Sequence, residues 1–311
     1  MKQKSIISII VFFIILSIFC GCGSSIVRRN AQGELSDQLP KEDFTPIKKK
    51  LALLPIFNEG LNGGDDLAIV ATEEIRQELS KTREFIVEEK DAAIFGTSKE
   101  IYAGGGIKLS LLAQKAKLSG INYVIFGRII NAKIRDKIDE IGFLRELKSF
   151  GESKVEIKVF DTTSNKEILS EVMDGVVTDN SYNFYFSDPK EQIEYRQELL
   201  RYVVKVALRK SIPRIIDVSS KLDWTGRVAR IVGTRIYVNA GRKSGVQVGD
   251  ILKIMTEGNE IFDPETGAFL GISKGEIKGT IQIVDFFGPD GAVAILHSGG
   301  NISEGDLVQL Y

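Results

Sequence analysis

Gly120-Ile121-Asn122-Tyr123-Val124-Ile125-Phe126-Gly127 is a short, almost wholly apolar run with glycine at both ends. Side chains that are apolar on both parities do not suit a half-exposed strand, so the run reads as a strand buried on two faces, continuing toward Ile134. An amphipathic stretch precedes it, with Leu112, Ala116 and Leu118 inward and Ser119-Gly120 ending it. Helix followed by buried strand is α/β order. The same elements occur upstream. Lys48-Lys49-Lys50 lead into Leu51-Ala52-Leu53-Leu54-Pro55-Ile56-Phe57, a second central strand. Asn58 to Gly64 turns the chain. Asp65-Asp66 then read as the cap of a helix that turns Leu67, Ala71, Ile75 and Leu79 inward and Glu73, Glu74, Arg76 and Glu78 outward. Phe85-Ile86-Val87 is a short strand, and Gly104-Gly105-Gly106 reads as a flexible loop before the Leu112 helix.

Downstream, Val155, Ile157 and Val159 alternate with charges, which marks a half-exposed strand over Lys154 to Phe160. Ile168 to Val177 is another. Lys190 to Ser211 reads as a long helix with Ile193, Leu200, Val203, Val204 and Ala207 inward, stopped by Pro213. These elements make one α/β domain over residues 47–220.

Composition shifts at Asp223-Trp224-Thr225-Gly226. Short β-prone runs follow at Gly226–Val232, Arg235–Asn239, Ile251–Met255, Gly279–Asp285, Ala292–Leu296 and Leu307–Tyr311, separated by Gly-rich turns. Residues 221–311 are therefore expected to form a small all-β barrel or sandwich. Gly249-Asp250 and Gly305-Asp306 each make a turn before an alternating strand. Asp263-Pro264-Glu265-Thr266-Gly267 reads as a hairpin tip, with Asp263 and Glu265 as cation ligands the sharper alternative.

The N-terminus has a different character. Lys2 and Lys4 precede an uncharged run of 14 residues, Ile6 to Phe19. That is short of the ~20 needed to span a bilayer and suits a signal-peptide core. It ends Phe19-Cys20-Gly21-Cys22-Gly23-Ser24, which resembles a lipoprotein lipobox. A small residue, Gly21, precedes Cys22, whereas Phe19 precedes Cys20, so Cys22 is the expected lipidation site. Phe19 stands where the pattern usually has Leu. Residues 1–21 would be the signal peptide, and 22–46 a lipidated cysteine with a disordered polar tether. Two or more acyl chains make a stable membrane anchor. By resemblance to the enteric sorting rule, Gly23, where inner-membrane retention typically uses Asp, implies the outer membrane.

The chain of 311 residues carries 41 Lys+Arg against 42 Asp+Glu, so neither sign of charge steers it to a partner. Nucleic acid is not an expected partner, since no basic stripe is present. Both cysteines lie at the N-terminus, which excludes a disulfide framework. His297, the single histidine, has no Asp or Cys near it in sequence. Gly104-Gly105-Gly106 lacks the Lys-Ser/Thr of a phosphate loop, and no zinc spacing exists. The chain is expected not to be an enzyme and to take no cofactor, metal or small-molecule substrate. Tyr182-Asn183-Phe184-Tyr185-Phe186 is the remaining cluster. It reads either as a core-facing turn or as an exposed patch, through Tyr182, Phe184, Tyr185 and Phe186, for a partner or a neighbouring subunit.

Residues 48–215 resemble the CsgG family, which includes the curli secretion channel, the TolB N-terminal domain and LpoB. The pieces that match are Leu51–Phe57 after the lysines, the helix at 65–80, Gly120–Gly127, and Val159-Phe160-Asp161-Thr162-Thr163-Ser164-Asn165-Lys166-Glu167-Ile168-Leu169. Asn165 stands where the family has Gly, a swap tolerated at positive φ. The resemblance implies a mixed-sheet, anticodon-binding-like α/β domain, and side-by-side packing of such domains implies a homo-oligomeric ring. The second domain resembles the C-terminal domain of the flagellar protein FlgT through Gly226-Arg227-Val228, Ile236-Tyr237-Val238-Asn239, Gly241, Ser244-Gly245-Val246, Gly249-Asp250 and Asp263–Gly267 with Leu270-Gly271. Curli channels insert two membrane hairpins in this fold. Here the first would be Lys133 to Lys154, half of it charged, and the second Val177 to Pro189, 13 residues long. Charge at mid-bilayer costs roughly 2–4 kcal/mol per Arg or Lys, and a spanning strand needs ~9–11 residues, so a barrel is not expected.

The expectation is thus an outer-membrane-anchored periplasmic lipoprotein that scaffolds an envelope machine, such as a flagellar outer ring or secretion complex, through envelope protein partners. An LpoB-like module that binds a cell-wall synthase is the alternative, and a CsgG-type pore the third reading.

Overall fold

The computed structural model describes residues 46–87, 95–139, 146–179 and 188–311. Cys22 and the aromatic cluster Tyr182, Phe184, Tyr185 and Phe186 lie outside these residues.

The first domain is a mixed sheet with helices on both faces. Its strands are β1 (Lys49–Leu53), β2 (Phe57–Asn58), β3 (Phe85–Val87), β4 (Tyr123–Asp139), β5 (Glu146–Asp161) and β6 (Lys166–Asp179). The sheet order is β3-β1-β4-β5-β6, with β2 also on β4. The β1 pairings are parallel, and β4-β5-β6 is an antiparallel meander. Helices α1 (Gly64–Lys81) and α3 (Pro189–Ser220) contribute to the core on one face, and α2 (Ser98–Leu118) to that on the other. β1 serves both layers as its composition requires. Leu51 and Leu53 enter the first core, Ala52 and Leu54 the second. Val124 and Phe126 face α2 while Tyr123 and Ile125 face the other way.

Several local expectations are corrected. Asp65 and Asp66 do not cap α1, because Gly63 is the N-cap and has no side-chain bond. They sit in the first turn, where negative charge suits the helix dipole, and Asp66 pairs with Arg201 of α3 at 2.8 Å. Glu74, expected outward, is buried and held by Arg209 at 2.7 Å. α1 packs against α3, so the side of α1 that faces neither solvent nor sheet meets cations. Gly104-Gly105-Gly106 lie within α2, not in a loop before it, because Thr97 caps the helix upstream by accepting from the Glu100 N–H. Gly costs roughly 1 kcal/mol in a helix, which Ile101, Leu112, Ala113 and Ala116 offset by burial. Leu118, at the end of α2, is exposed. α3 runs through Pro213 to Ser220. The Arg209 carbonyl loses its bond there, and Ile212 and Ile215, on either side of the proline, are buried. Ile193, expected inward, lies in the exposed N-terminal part of α3.

Two glycines set how closely α3 meets the sheet. A Cβ on Gly175 of β6 would lie 2.3 Å from the Val203 carbonyl and 2.4 Å from Ser153 Oγ, and one on Gly151 would press on Val203. Ser153 Oγ donates to that same Val203 carbonyl at 2.9 Å.

The charged stretch expected not to form a membrane hairpin extends β4 and β5, paired out to Asp139 and Glu146. Lys133 and Arg135 both reach Glu152, and Arg196 reaches Asp136 at 2.6 Å. No helix among the described residues is long and apolar enough to cross a membrane.

The second domain settles as a barrel rather than a sandwich. β7 (Thr225–Val232), β8 (Arg235–Val238), β9 (Ile251–Met255), β12 (Ile277–Phe287), β13 (Gly291–Gly299) and β14 (Leu307–Leu310) close in the order β12-β13-β8-β7-β14-β9. Closure leaves no free edge. Val228, Val238, Leu252, Ile254, Ile281, Ile283 and Val308 fill it. β10 (Glu260–Phe262) and β11 (Phe269–Ile272) form a separate hairpin off the barrel.

Candidate functional site: the seam between the domains

The residues that carry chemistry converge on the junction of the two domains, and the lysines before β1 organise it. Lys50 Nζ donates to the Asn239 carbonyl at 2.6 Å and pairs with Asp290 at 2.9 Å, both in the barrel domain. Asp290 also accepts from Gly241 N, Ser244 N and Ser244 Oγ. Burial pushes the Asp290 carboxyl up, but the bonds from Ser244 and Lys50 outweigh it and hold it below the usual Asp value. Lys49 Nζ is pulled under the end of α3, donating to the carbonyls of Ser219 and Leu222. Burial lowers its pKa, against the opposing pull of Asp223, Glu84 and Asp161. Lys48 joins through its backbone, donating to the Ser244 carbonyl at 3.0 Å.

Asn122 is the second organiser. Its side chain accepts from Lys50 N at 2.8 Å and donates to both Thr225 O and Thr225 Oγ1, at 2.7 and 2.8 Å. Every polar atom of this buried amide is thereby used, as burial demands. Thr162 bonds back to the Ile121 and Asn122 carbonyls. The run 120–127 thus supplies a core strand and, one residue earlier, the bond to the next domain.

Beside this seam lies an open cleft of about 400 Å³. Lys117, Asp161, Asp223, Glu257, Lys274 and Gln309 are among its walls. Arg227 pairs with Glu257 at the rim, and Lys117 approaches it at 3.8 Å. The β10–β11 hairpin reaches back to the first domain, where Lys166 Nζ donates to the Leu270 carbonyl at 2.9 Å. Of these charges Glu257 is paired, with Arg227 and Lys117, and among the described residues no group of three His, Cys, Asp or Glu could hold a metal.

The Asp263 turn closes on itself. Asp263 Oδ1 accepts from Glu265 N, Thr266 N and Thr266 Oγ1, and Gly267 supplies φ +67. These bonds hold the Asp263 carboxyl below its usual pKa. One carboxylate oxygen of Asp263 is thus engaged by the turn, as the hairpin-tip reading expects. Ile261, Phe262 and Leu270 are exposed on this hairpin, and Phe262 and Phe269 stack edge-to-face at 5.6 Å. His297 lies exposed in β13, and its neighbour Ser298 shares a hydrogen bond with Thr280. Asn165 adopts φ +55 in the β5–β6 turn, the conformation expected for it.

No protein-family model matches the chain, and no curated protein matches it. Solved structures do. CT253 from Chlamydia trachomatis is 18% identical, with a TM-score of 0.36, over 54% of this chain and 95% of its own. The PelC dodecamer from Paraburkholderia phytofirmans is 13% identical, with a TM-score of 0.32, over 55% of this chain and 89% of its own. Lipoprotein GNA1162 from Neisseria meningitidis is 14% identical, with a TM-score of 0.29, over 48% of this chain and 97% of its own. The structural neighbours thus include bacterial lipoproteins at low identity. At such scores these likenesses carry no argument about what this chain does.

Proposed function

We propose that the chain is an outer-membrane-anchored periplasmic lipoprotein that acts, without catalysis, as a scaffold in an envelope machine. In this reading a CsgG-type domain and a FlgT-type barrel form one unit, tethered through Cys22. The observation that carries the proposal is where the chain enters the fold. Pro46 and Ile47 lie against Gly245 of the barrel domain, Lys48 bonds Ser244, and Lys49 and Lys50 hold the end of α3 and Asp290. Tension on a lipid tether would therefore fall on both domains at their seam, as a scaffold requires.

The test is to photocrosslink the full chain in intact cells and identify its partners by mass spectrometry. Components of a flagellar or secretion assembly are the expected products. Capture of a cell-wall synthase alone would replace this reading with the LpoB-like one, and absence of any envelope partner would contradict both.

A further inference from the structure

The sheet of the first domain ends on β6, and no strand among the described residues pairs with its outer edge. β6 is 14 residues long. Monomers protect such edges with short strands, proline, charged side chains (lysine above all), bulges or a covering element. From Leu169 to Asp179 this strand has neither proline nor lysine, and its one register irregularity lies upstream, beside Glu167 and Leu169. Two valines of one parity, Val172 and Val176, are 48% and 62% exposed. The other parity faces α3 through Met173 and Gly175. A long edge with two exposed valines on its solvent face, guarded only by carboxylates and one lysine from α3, is a template for another strand.

We propose that this edge binds a second copy of the same chain, the two β6 strands pairing antiparallel about a two-fold axis at Val172. The sequence selects that register. With the axis at Val172, each Val172 meets its copy across the pair, and Ser170 lies opposite Asp174 of the partner subunit, a hydroxyl facing a carboxylate. Moving the axis to Asp174 sets two carboxylates face to face, which is unfavourable; moving it to Val176 keeps a hydroxyl opposite Asp174 but pairs only residues 173–179, where the Val172 axis pairs 166–178. Among the described residues the opposite edge of the sheet is β3, which has three of them and a buried Phe85. Head-to-tail growth of the sheet, β6 onto β3, would have little to pair with among those residues. Isologous pairing closes at two copies, so the ring implied by the family resemblance is not built through this edge. One contact must yield. Lys210 Nζ donates to the Asp174 carbonyl at 2.6 Å from an exposed position, and it swings into solvent when the strands meet.

Light scattering on the purified full chain in detergent tests this, independently of the anchoring proposal. The wild type is expected at twice the chain mass. Val172→Lys, which sets two ammonium groups opposite each other, should weaken the dimer more than tenfold with an unchanged circular dichroism spectrum. Under mild oxidation Val172→Cys in a Cys20→Ser, Cys22→Ser background should give a disulfide-linked dimer, while that background alone and Val176→Cys within it should not. A monomeric wild type overturns the proposal. So does a larger ring, or a dimer in which Val172→Cys fails to crosslink.

Discussion

Gly175→Val is expected to destabilise the first domain by about 3 kcal/mol or more, as overpacking at a rigid contact does. A Cβ at this position meets the Val203 carbonyl at 2.3 Å and Ala207 Cβ at 3.1 Å. The nearest obstacle is backbone, which cannot rotate away as a side-chain tip would. α3 must therefore lift, and Val204, Ala207 and Leu208, all fully buried beneath it, lose their packing together. The Ser153–Val203 hydrogen bond breaks in the same movement. At roughly 2–4 °C per kcal/mol for a domain of this size, the melting temperature should fall by roughly 6–12 °C. Gly233→Ala, at a turn with open space around it, is the control for a glycine whose Cβ meets nothing; there the φ of +61 alone sets the cost. Thermal melts followed by circular dichroism compare the two directly.

Asp290→Ala is expected to uncouple the domains. The carboxylate is partly buried and gathers Lys50 Nζ, Ser244 Oγ, Ser244 N and Gly241 N. Its removal leaves a largely buried ammonium without its counter-charge, a loss of about 3 kcal/mol. Calorimetry should resolve two transitions where the wild type shows one. The acid behaviour follows from the same site. Because the folded pKa of Asp290 is depressed, its contribution is whole above the unfolded value of about 3.9. It drains as pH falls from there through the lower folded value. Wild-type domain coupling should therefore weaken below about pH 4, and Asp290→Ala should lose that part of the pH dependence. An Asp290→Ala protein that melts like the wild type would show that the seam rests elsewhere.

The parts of the fold that were readable in sequence are those where one pattern meets one environment. Leu51–Leu54 is apolar on both parities and is buried on both faces. Leu67, Ala71, Ile75 and Leu79 keep one helical face, and all four are buried. Val155, Ile157 and Val159 alternate and line one side of β5. The barrel runs emerge close to their expected bounds because Gly turns separate them. What failed to read depends on contacts distant in sequence. Glu74 is buried against cations of α3, with Arg209 135 residues away in the chain and 2.7 Å away in space, and Lys205 at 3.7 Å. Gly104-Gly105-Gly106 and Pro213 signal breaks, yet burial on either side carries the helices through.

The seam was the largest omission. Lys48-Lys49-Lys50 look like a solvated run at the mouth of a strand, and charge runs usually are. The available hint was Asn122, an amide set directly before a strand that is apolar on both parities. A buried amide needs several partners, and here they come from the next domain, where no local pattern points. The anchor residue and the aromatic cluster, by contrast, rest on sequence alone.

The central claim, that lipid on Cys22 is the membrane attachment, has one direct test. Residues 22–311 carrying Cys22→Ser, exported behind a conventionally cleaved signal peptide, should fractionate as a soluble, folded periplasmic protein while the wild type sediments with membranes. Tight membrane association of the Cys22→Ser protein would contradict the account.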